Sequence, residues 1–199
     1  MSSDGGSPGG SILPDVLVLH FDYPSAASAV AVLRLQRVAD EGGTVRLAGL
    51  DVLGLDHAIP PPLDLLAEIA RFGEQSRALG LPMRRPSRRP TTLAAHVIGD
   101  LADRRGLGAA WRWACLRAFW CDDADLGDDT VLMRLVRTVG LDTDAAQARL
   151  VDRDARLERR RQAIAQRRRG VGGVPMLELN GTLLAADLPH DRLLDLAAL

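Results

Sequence analysis

Lysine is absent from this chain: all 25 basic residues are arginine. A Schiff-base lysine, a phosphate-binding P-loop lysine and a lysine general base are thereby excluded. Sulfur that could form a disulfide is limited to Cys115 and Cys121. They stand six residues apart in a helix-forming stretch, where a rise of about 1.5 Å per residue separates them by roughly 9 Å. A disulfide needs Cα atoms within about 7 Å, so both are expected to be packed, unpaired thiols. Aromatic residues make up only 4% of the chain and the formal net charge is -1. Neither the stacking surface nor the positive field of a nucleic-acid binder is present, and no pull toward an anionic membrane is expected. No apolar run reaches the roughly eighteen residues of a membrane-spanning helix. None of the four histidines has metal-ligand spacing with a third donor, so no metal is expected. The opening residues lack a basic region followed by an apolar core; residues 1–12 read as a flexible tail, and the chain as cytoplasmic.

What is present begins with a strand-like run over residues 15–23, followed by Pro24-Ser25-Ala26-Ala27-Ser28, which opens a helical pattern. Residues 45–52 form a second strand, and Pro60-Pro61-Pro62 breaks the chain before helix follows helix. The pattern predicts helices over 63–79, from a Thr91-Thr92 cap to 105, over 109–120, from Asp128-Asp129 to 140, and one long helix from Thr143 or Asp144 to 169. Gly170-Val171-Gly172-Gly173-Val174-Pro175 then leads into the apolar run 176–179 and the Asn180-Gly181 turn of a hairpin. Residues 13–56 and 170–199 thus make one α/β domain, and 57–169 an all-helical insertion within it.

Several segments carry a family resemblance: Phe21-Asp22-Tyr23-Pro24-Ser25, then Leu79-Gly80-Leu81-Pro82 leading to Pro90-Thr91-Thr92-Leu93-Ala94-Ala95-His96, Leu116-Arg117-Ala118-Phe119-Trp120 followed by Asp125, and Gly170 to Pro175. In their order and spacing they resemble the DsbA-like branch of the thioredoxin fold, in particular 2-hydroxychromene-2-carboxylate isomerases, kappa-class glutathione transferases and FrnE-like proteins. The resemblance implies an α/β thioredoxin-like fold with a large helical insertion and a cis Val174-Pro175 bond facing the site. Where such oxidoreductases carry C-x-x-C this chain has Ser25-x-x-Ser28, and hydroxyls cannot interconvert dithiol and disulfide.

In the isomerase and kappa-transferase branch, the position matched by Ser25 is a serine that holds the sulfur of a thiol cofactor. The resemblance implies the same here, with Val174, Pro175, Ser28 and Asp22 beside the cofactor. The thiol is glutathione or an actinobacterial equivalent, since Ala26-Ala27 stands where those isomerases have a Pro-Tyr-like pair. A hydroxyl at a helix N-terminus donates to a thiolate that the helix dipole also favours. Tyr23, Trp111, Arg85 and Arg89 are the candidates for contact with an apolar or aromatic small-molecule substrate. The leading expectation is an isomerase or transferase of a bacterial catabolic or natural-product pathway, as a homodimer. A catalytically inactive binding or scaffold protein, or an oxidoreductase by ancestry only, remains the alternative, in which Ser25 simply caps the helix. His20 and Asp22 share a strand face, yet without a G-x-S-x-G elbow they do not make a hydrolase relay with Ser25.

Overall fold

The computed structural model describes residues 16–199, so the tail expected over 1–12 lies outside them. Strand β1 (Leu17–Phe21) is buried along its whole length, as a run of Leu, Val and Phe between neighbours on both edges demands. Helix α1 (Ala26–Asp40) follows, then strand β2 (Val45–Gly49). Six helices separate β2 from the next strand: α2 (Leu63–Ala78), α3 (Leu93–Arg104), α4 (Gly108–Asp122), α5 (Asp129–Val139), α6 (Thr143–Val151) and α7 (Arg153–Arg168). Strands β3 (Met176–Leu179) and β4 (Thr182–Ala185) and helix α8 (His190–Ala197) close the chain.

The sheet runs β2-β1-β3-β4. Strands β1 and β2 are parallel with Leu17 opposite Val45, and β3 is antiparallel to β1 with Leu19 opposite Leu177. The β3–β4 hairpin turns on Asn180 and Gly181, both at positive φ of 51° and 78°, the type I′ geometry that an Asn-Gly pair supplies. This is a thioredoxin-like α/β unit interrupted by a helical block. One continuous core joins the two: Leu17, Leu19 and Leu35 belong to the same buried cluster as Ile98, Trp111, Trp120 and Leu132. Each large apolar side chain buried there contributes about 1.5–3 kcal/mol.

Two local expectations are corrected. The single long helix over 143–169 is two, because Asp152 leaves the helical region at φ -71° and ψ 106° and turns its carboxylate to the N–H groups of Asp154 and Ala155. Helix α6 does begin at Thr143, with the side chain of Asp142 before it as the cap, accepting from Ala145 N at 2.8 Å. Thr92 precedes α3 without capping it, since its hydroxyl is drawn to Asp22 instead.

Candidate active site

The turn from β1 to α1 places Ser25 at the helix N-cap in an extended conformation, φ -127° and ψ 122°. Its Oγ accepts from Ser28 N at 3.2 Å, so a cap is formed. The hydroxyl proton goes elsewhere: Ser25 Oγ donates to Glu68 Oε2 on α2 at 3.0 Å. The same carboxylate oxygen accepts from Ala26 N at 2.8 Å and Ala27 N at 3.3 Å. A carboxylate from the helical block therefore sits on the positive end of α1, where the dipole and unpaired N–H groups favour an anion.

Beside this pair opens a cleft of about 540 Å³ between α1, α2 and the β3–β4 hairpin. Ala27, Val30 and Ala31 form its α1 wall and Pro175 with Met176 faces them. The Val174-Pro175 bond is cis. Phe72 and Arg71, one turn beyond Glu68, complete the α2 wall, with the Arg71 guanidinium 5.1 Å from the Phe72 ring centre. Arg34 lies across from them, donating to Leu188 O; burial lowers its pKa, against the opposing charge of Asp187. The floor is apolar and the rim carries two guanidiniums, a surface suited to an apolar body bearing carboxylates.

Behind the turn lies a sealed polar cluster. Asp22, with no exposed surface, accepts from Thr92 Oγ1 at 2.7 Å, Tyr23 N at 2.9 Å and Val52 N at 2.9 Å. His96 Nε2 stands 3.1 Å from the same carboxylate, which assigns the ring proton to that nitrogen. Burial, then the nearby Asp22 charge, raises the pKa of Asp51 on the far side of Thr92. His96 stacks on Tyr23 with ring centres 4.8 Å apart, and burial raises both the Tyr23 phenol and the Cys115 thiol that it meets.

The fold thus brings the first turn of α1, through Ala27, and Pro175 to one cleft, with the buried Ser25 two residues before Ala27. Other expected site residues lie apart from it. Asp22 and Ser28 are fully buried and serve the turn itself, Ser28 Oγ facing Asp22 N at 3.4 Å. Tyr23 and Trp111 belong to the core, where the Trp111 indole donates to Ala95 O at 3.0 Å. Arg89 pairs its backbone with Ile59 and Arg85 is exposed, both on the Pro-rich loop and away from the cleft walls. Arginine does line the cleft, but as Arg34 and Arg71, while Glu68 meets the start of α1; an amphipathic reading of α2 gives no sign of which residue meets α1. Ser25, His20 and Asp22 do not form a relay, because His20 bonds Glu178 at 2.8 Å. Cys115 and Cys121 are both unpaired. Among the described residues no cluster of three metal-ligating side chains occurs and no helix is long and apolar enough to cross a membrane.

A family model, the DSBA-like thioredoxin domain, matches residues 17–197. No curated protein matches the chain. Among solved structures, a probable DsbA oxidoreductase of Streptomyces coelicolor superposes with a TM-score of 0.76 at 21% identity, over 91% of this chain and 87% of that one. A 2-hydroxychromene-2-carboxylate isomerase gives 0.70 at 21% identity over 91% and 92%. The cytosolic disulfide reductase DsbM of Pseudomonas aeruginosa, solved with GSH, gives 0.64 at 22% identity over 90% and 92%.

Proposed function

The chain belongs to the DsbA-like thioredoxin family, and from that premise we propose that it is a non-redox member: a cytoplasmic enzyme that uses a small thiol to isomerise or conjugate an apolar or aromatic small molecule. The observation that carries this reading is the cleft walled by Ala27 and Pro175, with the Ser25–Glu68 pair on the end of α1 beside it. Oxygen at positions 25 and 28 removes disulfide exchange at this turn.

The Ser25–Glu68 pair supplies a route for the thiol proton. A thiol entering the cleft gives its proton to the Glu68 carboxylate, and the thiolate takes the place of that carboxylate at Ser25 Oγ and the N–H groups of Ala26 and Ala27. Such a charge-assisted hydrogen bond is worth about 1.5–3 kcal/mol, or about one to two pKa units on the thiol. Carboxylates of the thiol pair with Arg34 and Arg71, and the backbone before Pro175 aligns its cysteinyl part. Addition of the sulfur to a conjugated double bond makes a C–S bond and a delocalised anion. Rotation about the new single bond, followed by return of the electron pair and loss of the thiolate, yields the isomer. Retention of the sulfur and protonation of the carbon gives a conjugate.

Calorimetric titration with glutathione and mycothiol, with thiolate absorbance of the bound ligand followed against pH, tests the reading. Ser25→Ala is expected to weaken binding by about tenfold or more, equal to about 1.4 kcal/mol, and to raise the bound thiol's pKa. A second reading, a non-catalytic binding protein, rests on Glu68 already filling the end of α1. It is favoured if neither thiol binds the wild-type chain or Glu68→Gln, or if Ser25→Ala changes nothing.

A further inference from the structure

A second cleft lies along the open edge of the sheet, apart from the one that holds Pro175. It measures about 740 Å³ and is lined by every residue from Val45 to Leu50. Strand β2 has a neighbour on one side only. The bonds Leu17 N to Thr44 O (3.2 Å) and Leu50 N to Phe21 O (2.7 Å) set the parity of the parallel ladder: even-numbered residues turn their N–H and C=O groups to β1, and Val45, Leu47 and Gly49 turn theirs outward. Among the described residues no donor or acceptor meets those outward groups. Gln36 and Ala39 of α1, Arg104 at the end of α3 and Arg159 of α7 flank the strand. Two buried polar atoms on these walls, Arg112 Nε and Gln166 Oε1, have no hydrogen-bond partner.

The geometry points to a peptide-binding groove in which an extended, acidic segment of a partner protein adds as a fifth strand beside β2. Main-chain pairing at Val45, Leu47 and Gly49 provides the affinity of strand addition. Charge sets the preference: Arg46, Arg104, Arg112 and Arg159 line the cleft against Asp100 and Asp103. The two aspartates already pair with Arg159 at 3.1 Å and Arg112 at 2.7 Å, which leaves Arg46 and Arg104 for the peptide's carboxylates. Gln166 Oε1 and Arg112 Nε offer it an acceptor and a donor. This groove is independent of the thiol reading, since none of its residues lines the Pro175 cleft.

The test uses the isotope-labelled full chain and a capped hexapeptide alternating Val and Glu, with its Val-Lys counterpart and an N-methylated version as controls. The acidic peptide is expected to slow hydrogen exchange at the amides of Val45, Leu47 and Gly49 and to leave those facing β1 unchanged. N-methylation of its ladder amides, or Arg46→Glu with Arg104→Glu, is expected to weaken it at least tenfold. Equal binding of the lysine peptide, no protection at the three amides, or their protection before any peptide is added, by the chain's own tail or by concentration-dependent self-pairing, overturns the assignment.

Discussion

Gly49 has no room for a side chain: a Cβ there would stand 2.0 Å from His96 Nδ1. His96 is held on its other nitrogen by Asp22 and against the Tyr23 ring, so it has nowhere to retreat. Gly49→Ala is expected to destabilise the chain by about 1–3 kcal/mol through overpacking, read as a lower midpoint in urea at unchanged slope. By contrast, Gly173→Ala, with nothing within 4 Å of the added carbon, is expected to leave the midpoint close to wild type. Ser25 could be recognised from sequence as a cap because the signal is local: a small hydroxyl residue two positions after Tyr23, opening an apolar-periodic run. Its partner Glu68 lies 43 positions away, and Thr92 and His96 meet Asp22 across separations of 70 and 74. Such pairings depend on how α2 and α3 dock, which no local pattern encodes. Burial of Tyr23 and Trp111 was hidden for the same reason, since an aromatic beside a site motif reads alike whether it faces a ligand or a core.

At the scale of elements, composition marked most boundaries. The Asn180-Gly181 turn, the Pro60–Pro62 break and the Asp128 cap are each a local chemical preference realised where it occurs. No local signal marks the break at Asp152, because residues 143–169 contain no Gly or Pro and their charges alternate as on one solvated helix. What decides is side-chain competition: the Asp152 carboxylate bonds Asp154 N at 2.9 Å and Ala155 N at 3.0 Å, and capping α7 takes its own backbone out of α6. Those backbone bonds hold its pKa below the ordinary carboxylate value, Ala155 N first, despite desolvation, with Arg149 helping. A depressed pKa means that the cap's contribution is present above the unfolded-state value and disappears as pH falls through the folded one. Asp152→Ala is therefore expected to speed hydrogen exchange at the first amides of α7 near neutral pH, and to lose that effect in acid. Asp152→Ser, which keeps an acceptor at the cap, should stay near wild type.

For the whole molecule, the question is what fastens the helical block to the sheet. The order of strand and helix signals, with sheet halves at both ends of a helical stretch, made the thioredoxin-like plan legible, because that plan follows from which elements neighbour in sequence. The docking of the block was not legible, since it rests on side chains that bridge distant elements. Trp120 donates to Tyr23 O at 3.1 Å, Glu68 grips the start of α1, and Arg169, just past α7, reaches Glu178 on β3. Glu178 also takes His20 of β1 at 2.8 Å, so one carboxylate ties two strands to the end of the block. Burial pulls its pKa up, but the His20 hydrogen bond and the Arg169 charge outweigh that and leave it lowered. Folding therefore favours the ionised form, and the stability it brings is present above the unfolded carboxyl's value of about 4.3 and lost as pH falls through the lower folded value. Glu178→Gln should cost about 1.5–3 kcal/mol near pH 7, the worth of hydrogen bonds to a charged group. The gap between variant and wild type is expected to narrow steadily in acid, where both carry a neutral side chain; denaturant titrations at several pH values measure it. A gap that persists undiminished at low pH would assign Glu178 to shape alone and leave the other two bridges to hold the block.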